Sequence, residues 1–193
     1  MAGVVKTRLA REIGVVGATR FARHAAHALL GRVASDPRWQ TIVAVAPDTG
    51  VVSRFWPHQL ARMPQGGRDL GARMQHIFDH LPPGPALIVG TDVPGITPAH
   101  MAEAFRLLGR HDAVFGPAVD GGYWVVGAKR RPRVPRLFAD VRWSGPHALA
   151  DTLANLKGST VAFAATLRDV DDAQSLEASA GCFGRRVLPR ARA

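Results

Sequence analysis

The amino-acid sequence predicts an α/β domain with a largely parallel sheet. Two observations carry this. Short apolar runs rich in β-formers alternate with segments of helical period, and glycine- and aspartate-bearing motifs fall where strands end and helices begin, the edge at which open α/β sheets hold ligands. The expected strands are Thr41 to Ala46, Ala86 to Gly90, Ala113 to Gly116, Tyr123 to Gly127 and Val161 to Ala165. Between them, Phe21, Ala25, Ala28, Leu29 and Val33 share one helical face, as do Leu70, Met74, Ile77, Phe78 and Leu81, the spacing that buries a stripe against a sheet. Thr97-Pro98 reads as an N-cap with proline at the first helical position, ahead of Met101, Ala104, Phe105 and Leu108. Ser144 reads as a further cap, opening a helix through Leu149, Leu153 and Leu156. The front is different. Met1 to Arg11 offer only Val4 and Val5 as β-formers, so no opening strand is placed there and the chain starts on a loop-like segment.

The 193 residues, 47% of them hydrophobic, suit one domain with a full core better than two; we expect a single domain over 1–180 and a basic tail over 181–193. The formal net charge of +10 suggests an anionic partner, although solvated arginines explain it equally. The excess lies in Lys129-Arg130-Arg131-Pro132-Arg133 with Arg136, expected as a solvated loop, and in the tail from Arg185 to Arg192. Neither run interleaves aromatic residues and no helix-turn-helix or RNA-binding signature is present, so nucleic acid is not an expected partner. A single cysteine, Cys182, excludes an internal disulfide framework and thiolate-rich metal sites. No run approaches the roughly 20 apolar residues of a membrane span, and a cytoplasmic location without membrane insertion is expected. His24 with His27 and His76 with His80 share helical faces, but no zinc-protease glutamate lies between them; exposed helix positions explain them.

Four loops carry chemistry. In Gly3-Val4-Val5-Lys6-Thr7-Arg8-Leu9, two cations and free backbone N–H groups suit a diphosphate. In Gln65-Gly66-Gly67-Arg68-Asp69-Leu70-Gly71-Ala72-Arg73-Met74, adjacent glycines let backbone approach a ligand, Asp69 caps the helix, and Arg68 or Arg73 can meet a phosphate or base. Gly90-Thr91-Asp92-Val93-Pro94-Gly95 places a carboxylate at the end of the most apolar strand, where it either holds a cation or stabilises a turn. Magnesium and manganese bind through one or two carboxylates plus substrate phosphates, so Asp92 needs a partner. Arg168-Asp169-Val170-Asp171-Asp172 supplies one, because residues 169 and 171 address the same side in an extended segment. The other reading of this last motif is a helix N-cap; both hold if Asp171 caps and Asp169 ligates. Between these loops, Asp120-Gly121-Gly122 reads as a tight turn between strands. Asp120 can also orient an acceptor or act as base, with Tyr123-Trp124 as a floor for a sugar or similar acceptor.

Taken in order, Lys6-Thr7-Arg8-Leu9, the Gln65 to Met74 motif, Gly90-Thr91-Asp92-Val93-Pro94, Gly116-Pro117 to Trp124, Asp140-Val141-Arg142-Trp143-Ser144 and Leu167-Arg168-Asp169-Val170-Asp171 resemble the bacterial glycosyltransferase-A-like family, also called radical-SAM/selenodomain-associated transferases. The resemblance spans roughly residues 3 to 176. It implies a three-layer αβα nucleotide-diphospho-sugar transferase fold, related to molybdenum-cofactor and phospholactate guanylyltransferases. It further implies that Lys6 and Arg8 face the nucleotide phosphates and that Asp92, Asp169 and Asp171 bind Mg2+ or Mn2+. The residues expected to bind nucleotide are Lys6, Arg8, Gln65, Gly66, Gly67, Asp69, Arg73 and Asp92; those expected to act in catalysis are Asp120, Lys6 and Arg8. The expected partners are a nucleotide-activated donor and a small-molecule acceptor. Glycosyl transfer from a nucleoside-diphosphate sugar is the leading reaction, nucleotidyl transfer to a phosphorylated small molecule the alternative, and a truncated, non-catalytic nucleotide-binding protein the alternative of another class. Two departures from the family pattern stand out. The opening strand and Ala-Pro-type turn that precede Lys-Thr-Arg-Leu are missing, and Gly90-Thr91-Asp92 has one carboxylate where glycosyltransferases have Asp-x-Asp.

Overall fold

The computed structural model describes residues 7–131 and 133–179. Lys6 and the basic tail therefore lie outside the described residues. In chain order the elements are α1 (Thr7–Val33), β1 (Ile42–Val45), a 3-10 turn (Asp48–Val52), β2 (Ala61–Pro64), α2 (Leu70–His80), β3 (Ala86–Val89), α3 (Pro98–Arg110), β4 (Ala113–Pro117), β5 (Tyr123–Ala128), α4 (Ala148–Ala154), β6 (Val161–Phe163) and α5 (Ala173–Ala178). Every expected strand falls on an observed one. The unforeseen strand is β2, Ala61-Arg62-Met63-Pro64, whose arginine and proline hide its β character. Among the described residues it pairs, in parallel, with β1 alone, and an edge strand tolerates proline because its outer side makes no ladder. The expected loop at the front is helical from Thr7, and the helix breaks at Gly14, whose φ of 79° and ψ of 157° are not helical.

The main sheet has the order β3-β5-β4-β6. β5 runs antiparallel to both of its neighbours, whereas β4 and β6 are parallel, so β3, β4 and β6 share one direction. The reversal follows from the tight turn between β4 and β5, where Gly121 N donates to Ala118 O and Ala118 N to Gly122 O. Among the described residues no ladder joins β1 to β3, and the strands form two sheets, β1-β2 and β3-β5-β4-β6.

Alternation along the strands makes three layers. Ala86 and Ile88 of β3 and Ala113 and Phe115 of β4 face one side, with Met74 and Phe78 of α2 and Leu149 and Leu153 of α4. Leu87, Val89 and Val114 face the other, against Leu29 and Val33 of α1 and Met101, Ala104 and Leu108 of α3. The residues at period 2 thus divide between two helical layers. Arg130 lies against the first of these regions and departs from the expected solvated loop, whose Arg131, Arg133 and Arg136 are exposed. It is 8% exposed, and its guanidinium donates to the carbonyls of Phe78, Leu81, Pro82 and Gly84, closing the C-terminal end of α2.

The helix starts are partly as expected. Thr97 caps α3 in a full capping box with His100, and Asp69 caps α2 by accepting from Ala72 N at 2.8 Å. Ser144 does not cap. It has a φ of 63°, and α4 begins later, after His147, whose side chain makes no capping bond. No helix among the described residues is long and apolar enough to cross a membrane.

One ionisable contact ties β4 to the start of β6. The Asp112 carboxylate accepts from Thr160 N and Thr160 Oγ1, each at 2.8 Å, and these bonds, the backbone one foremost, hold its pKa below the usual aspartate value. A lowered folded pKa contributes stability that is complete above the unfolded pKa and disappears as pH falls through the folded one. Asp112→Ala is therefore expected to lower Tm at pH 7, and the gap between parent and variant to close in acid; a gap that is constant with pH in thermal unfolding contradicts this.

Candidate functional site

The chain leaves β3 through Gly90, whose N–H donates to Trp124 O and so extends the β3–β5 ladder by one bond. Two residues later comes Asp92. A Cβ built on Gly90 would lie 2.9 Å from Asp92 Oδ1, so this carboxylate folds back close against the backbone of its own loop. The chain leaves β6 alongside β4: Ala164 N donates to Phe115 O, Leu167 N to Pro117 O, and Val170 N reaches Asp92 O at 3.1 Å. Val170 has no exposed surface and packs with Leu9, Ala18, Phe21 and Leu176. Its two neighbours are thereby turned to one side. One carboxylate oxygen from each of Asp92, Asp169 and Asp171 comes within 4.8 Å of the other two.

Asp171 lies in this cluster, with the expected metal set, and not in the helix cap that was the other reading of the motif. Asp172 caps α5, accepting from Ser175 N at 2.7 Å, while Asp171 N donates to Ser175 Oγ. The bonds to Ser175, followed by the charges of Arg168 and Arg8, lower the Asp172 pKa. Arg8 thus stands within electrostatic reach of the loop that carries the acids. Glu12, one turn further on, fixes the same junction by accepting from Ala173 N at 2.8 Å.

The three acids fit a hard divalent cation. They offer only carboxylate oxygens, all half-buried, and three protein ligands leave other positions of an octahedral ion to water or substrate oxygens. Gathering three carboxylates this closely costs electrostatic energy that such a cation offsets.

The glycine-rich loop is built by a residue that the sequence reading missed. Asp48, just after β1, accepts from Gly66 N at 3.1 Å. Gln65 N donates to Val45 O and its side-chain amide to Ala44 O, so the Gln65 NH2 group is turned toward β1. Gly66 and Arg68 adopt positive φ of 77° and 75°, and Arg73 Nε donates to Arg68 O. A carboxylate three residues beyond the end of β1, after Ala46-Pro47, was the signal that could have revealed Asp48.

Asp120 lies exposed in the β4–β5 turn, where its Oδ1 accepts from Gly122 N at 2.9 Å. The aromatic pair behind it is not a floor. Trp124 is 1% exposed and its indole N–H donates to Ala165 O, while Tyr123 packs edge-on against Phe115 and meets Thr152 through its hydroxyl; burial pushes the Tyr123 phenol up to about 12. What borders the turn is the segment that follows Leu137. Leu149 N donates to Gly121 O, and Pro146 lies so close that a Cβ on Gly121 would be 2.5 Å from its carbonyl oxygen. Arg142 is fixed to Asp151 through its backbone N–H and its guanidinium. Trp143 then reaches α2, where a Cβ on Gly71 would meet Trp143 Cζ2 at 2.9 Å and Phe138 O at 3.0 Å. The Asp120 turn and the glycine-rich loop are therefore parts of one packed assembly.

Gly71→Ala overpacks this junction and is expected to destabilise the protein by about 1–3 kcal/mol. Gly67, with nothing within 4 Å of its would-be Cβ, is the internal control: Gly67→Ala is expected to change stability by no more than about 0.5 kcal/mol. Equal denaturant midpoints for the two variants would contradict the packing described.

Comparison with known proteins bears on the family and the fold. Residues 29–145 match a family described as "Uncharacterized protein conserved in bacteria (DUF2064)". The chain is also similar, with a TM-score of 0.78 and 25% identity over 98% of its length and 86% of the other chain, to a crystal structure from Desulfovibrio desulfuricans G20 of a protein assigned, as a candidate, to the nucleotide-diphospho-sugar transferases. Comparison with curated proteins gives no match. The fold is that of the αβα nucleotide-diphospho-sugar transferases, the likeness supports a transferase role, and, with more than half of its length matched by the family model, the chain belongs to the DUF2064 family of bacterial proteins.

Proposed function

We propose that the protein transfers a group from a nucleotide-activated donor to a small acceptor, with glycosyl transfer from a nucleoside-diphosphate sugar as the reaction. The observation that carries this reading is the convergence of Asp92, Asp169 and Asp171 at the ends of β3 and β6, on a fold shared with a candidate nucleotide-diphospho-sugar transferase. In this reading the three carboxylates hold Mg2+ or Mn2+, which supplies positive charge to the donor diphosphate. Arg8, and Lys6 from the segment ahead of α1, add cations for the same phosphates and for charge developing on the leaving group.

Gly66 and Gly67 present backbone without side chains at the start of α2, whose N-terminal end favours an anion. Asp69 holds that end in place as the cap, and Arg73 is available one turn inside it. Gln65 contributes through its remaining amide oxygen, since its NH2 group is engaged with Ala44 O. In this reading Asp120, exposed at the turn, accepts a proton from an acceptor hydroxyl. Its second oxygen serves that role while Oδ1 holds Gly122 N. No covalent enzyme intermediate is needed.

Isothermal titration of nucleoside-diphosphate sugars and nucleoside triphosphates, with and without manganese, tests the reading. The parent is expected to bind a diphosphate sugar in a manganese-dependent way, and Asp92→Asn and Asp169→Asn each to weaken that binding by about 10–100-fold with an unchanged circular dichroism spectrum. If both variants bind as the parent does, the metal assignment fails. Tight triphosphate binding without diphosphate-sugar binding would replace glycosyl by nucleotidyl transfer.

A further inference from the structure

We propose a second ligand site, on the side of α1 away from the sheet, that takes a planar ring bearing an anionic group, in the form of a nucleoside monophosphate. The buried stripe Phe21, Ala25, Leu29 and Val33 faces the core. Arg23 and His27, one turn apart and exposed, lie on the opposite side of the same helix. The segment between the 3-10 turn and β2 folds over them. His27 Nε2 lies 2.9 Å from Phe55 O, and its ring meets that of Phe55 edge-on at 4.5 Å. Trp56 meets Phe55 edge-on at 4.6 Å, and the Arg23 guanidinium sits 4.4 Å above the Phe55 ring.

The segment is fixed from beneath by Arg62 of β2. One terminal nitrogen of its guanidinium donates to Val51 O and Ser53 O, the other to Trp56 O and Pro57 O. An arginine that gathers four carbonyls of one short segment gives that segment a set shape, so the aromatic side chains are arranged before any ligand arrives. The open cleft that results is about 460 Å³ and is lined by His27, Arg54, Phe55, Trp56, His58 and Arg62, together with Val52, Ser53 and Pro57; none of the described residues lining it is acidic.

The chemistry of the lining selects the ligand. Guanidinium groups recognise phosphate and carboxylate by charge and by paired N–H donors, and aromatic faces stack on planar rings. Arg62 is occupied in holding the segment, so the exposed Arg54 and His58 supply the groups that meet the anion, and Trp56 the ring contact. Because no carboxylate lines the cleft, the site needs no divalent cation. This separates it from the cluster of Asp92, Asp169 and Asp171, whose supporting residue Val170 packs with Leu9, Ala18, Phe21, Ala25 and Leu176.

The test uses the full chain in EDTA, titrated calorimetrically with guanosine and uridine monophosphates and, separately, with inorganic phosphate. Saturable monophosphate binding is expected, weakened at least about five-fold by Arg54→Glu, and unchanged by Asp92→Asn. Trp56→Ala is expected to remove the advantage of the nucleotide over inorganic phosphate. Should Trp56→Ala prove unfolded by circular dichroism, the exposed Arg54→Glu decides alone. The proposal is overturned by absence of saturable binding at millimolar ligand, by binding that Arg54→Glu leaves intact, by loss of binding in Asp92→Asn, or by inorganic phosphate binding as tightly as the nucleotides.

Discussion

Burial of Val170 is the constraint on which the acidic site depends. Its side chain is enclosed by α1 and α5, and its N–H is bound to Asp92 O. Together these fix both the register and the facing of the 169–171 segment against the loop after β3. A strand-like segment with a buried middle residue turns its two neighbours the same way, and the neighbours here are carboxylates. Shifting the segment by one residue would bury Asp169 or Asp171 in an apolar cluster, at a cost far exceeding the loss of one hydrogen bond. The same arrangement explains why the N-terminal part of α1 matters to the site. Leu9 and Ala18 are the other half of the Val170 pocket, and the helix that supplies them also carries Arg8.

A second constraint is the reversed strand β5. Because β4 and β5 are joined by a tight turn, the Asp120 loop emerges at the same edge of the sheet as the ends of β3 and β6, which run parallel to β4. The chain then returns from β5 and packs Pro146 against Gly121 and Trp143 against Gly71. Glycine at position 121 permits that turn to rest on the Pro146 backbone, and glycine at position 71 of α2 admits the Trp143 ring and the Phe138 carbonyl. Donor-side and acceptor-side loops in the proposed reaction therefore share one mechanical support.

Much of this was legible in the sequence, and the exceptions have physical causes. The strands were visible because β4 and β5 are buried on both faces and β3 packs against a helical layer on each side, so all three read as continuous apolar runs. The pairing of Asp169 with Asp171 was visible through the two-residue period. Strand β2 was hidden because an edge strand with one neighbour needs little apolar surface, and Arg62 is spent on carbonyls rather than on a partner strand. The expected aromatic floor overlooked alternation: Tyr123 and Trp124 are adjacent in a strand and cannot share a face, so one of them had to be buried. Ser144 and Arg130 depended on contacts with residues far away in sequence, Pro146 on Gly121 and the end of α2, which no local pattern reports. Asp171 was freed for the cluster by Asp172, a competition between adjacent carboxylates that spacing alone does not decide.

The account turns on one cation bound by side chains from two distant loops. Anomalous scattering from crystals grown with manganese locates such an ion without reference to activity. The account predicts a manganese peak coordinated by carboxylate oxygens of Asp92, Asp169 and Asp171, retained with a nucleoside-diphosphate sugar bound. A well-ordered crystal with those three carboxylates resolved and manganese bound elsewhere, or not at all, would contradict it.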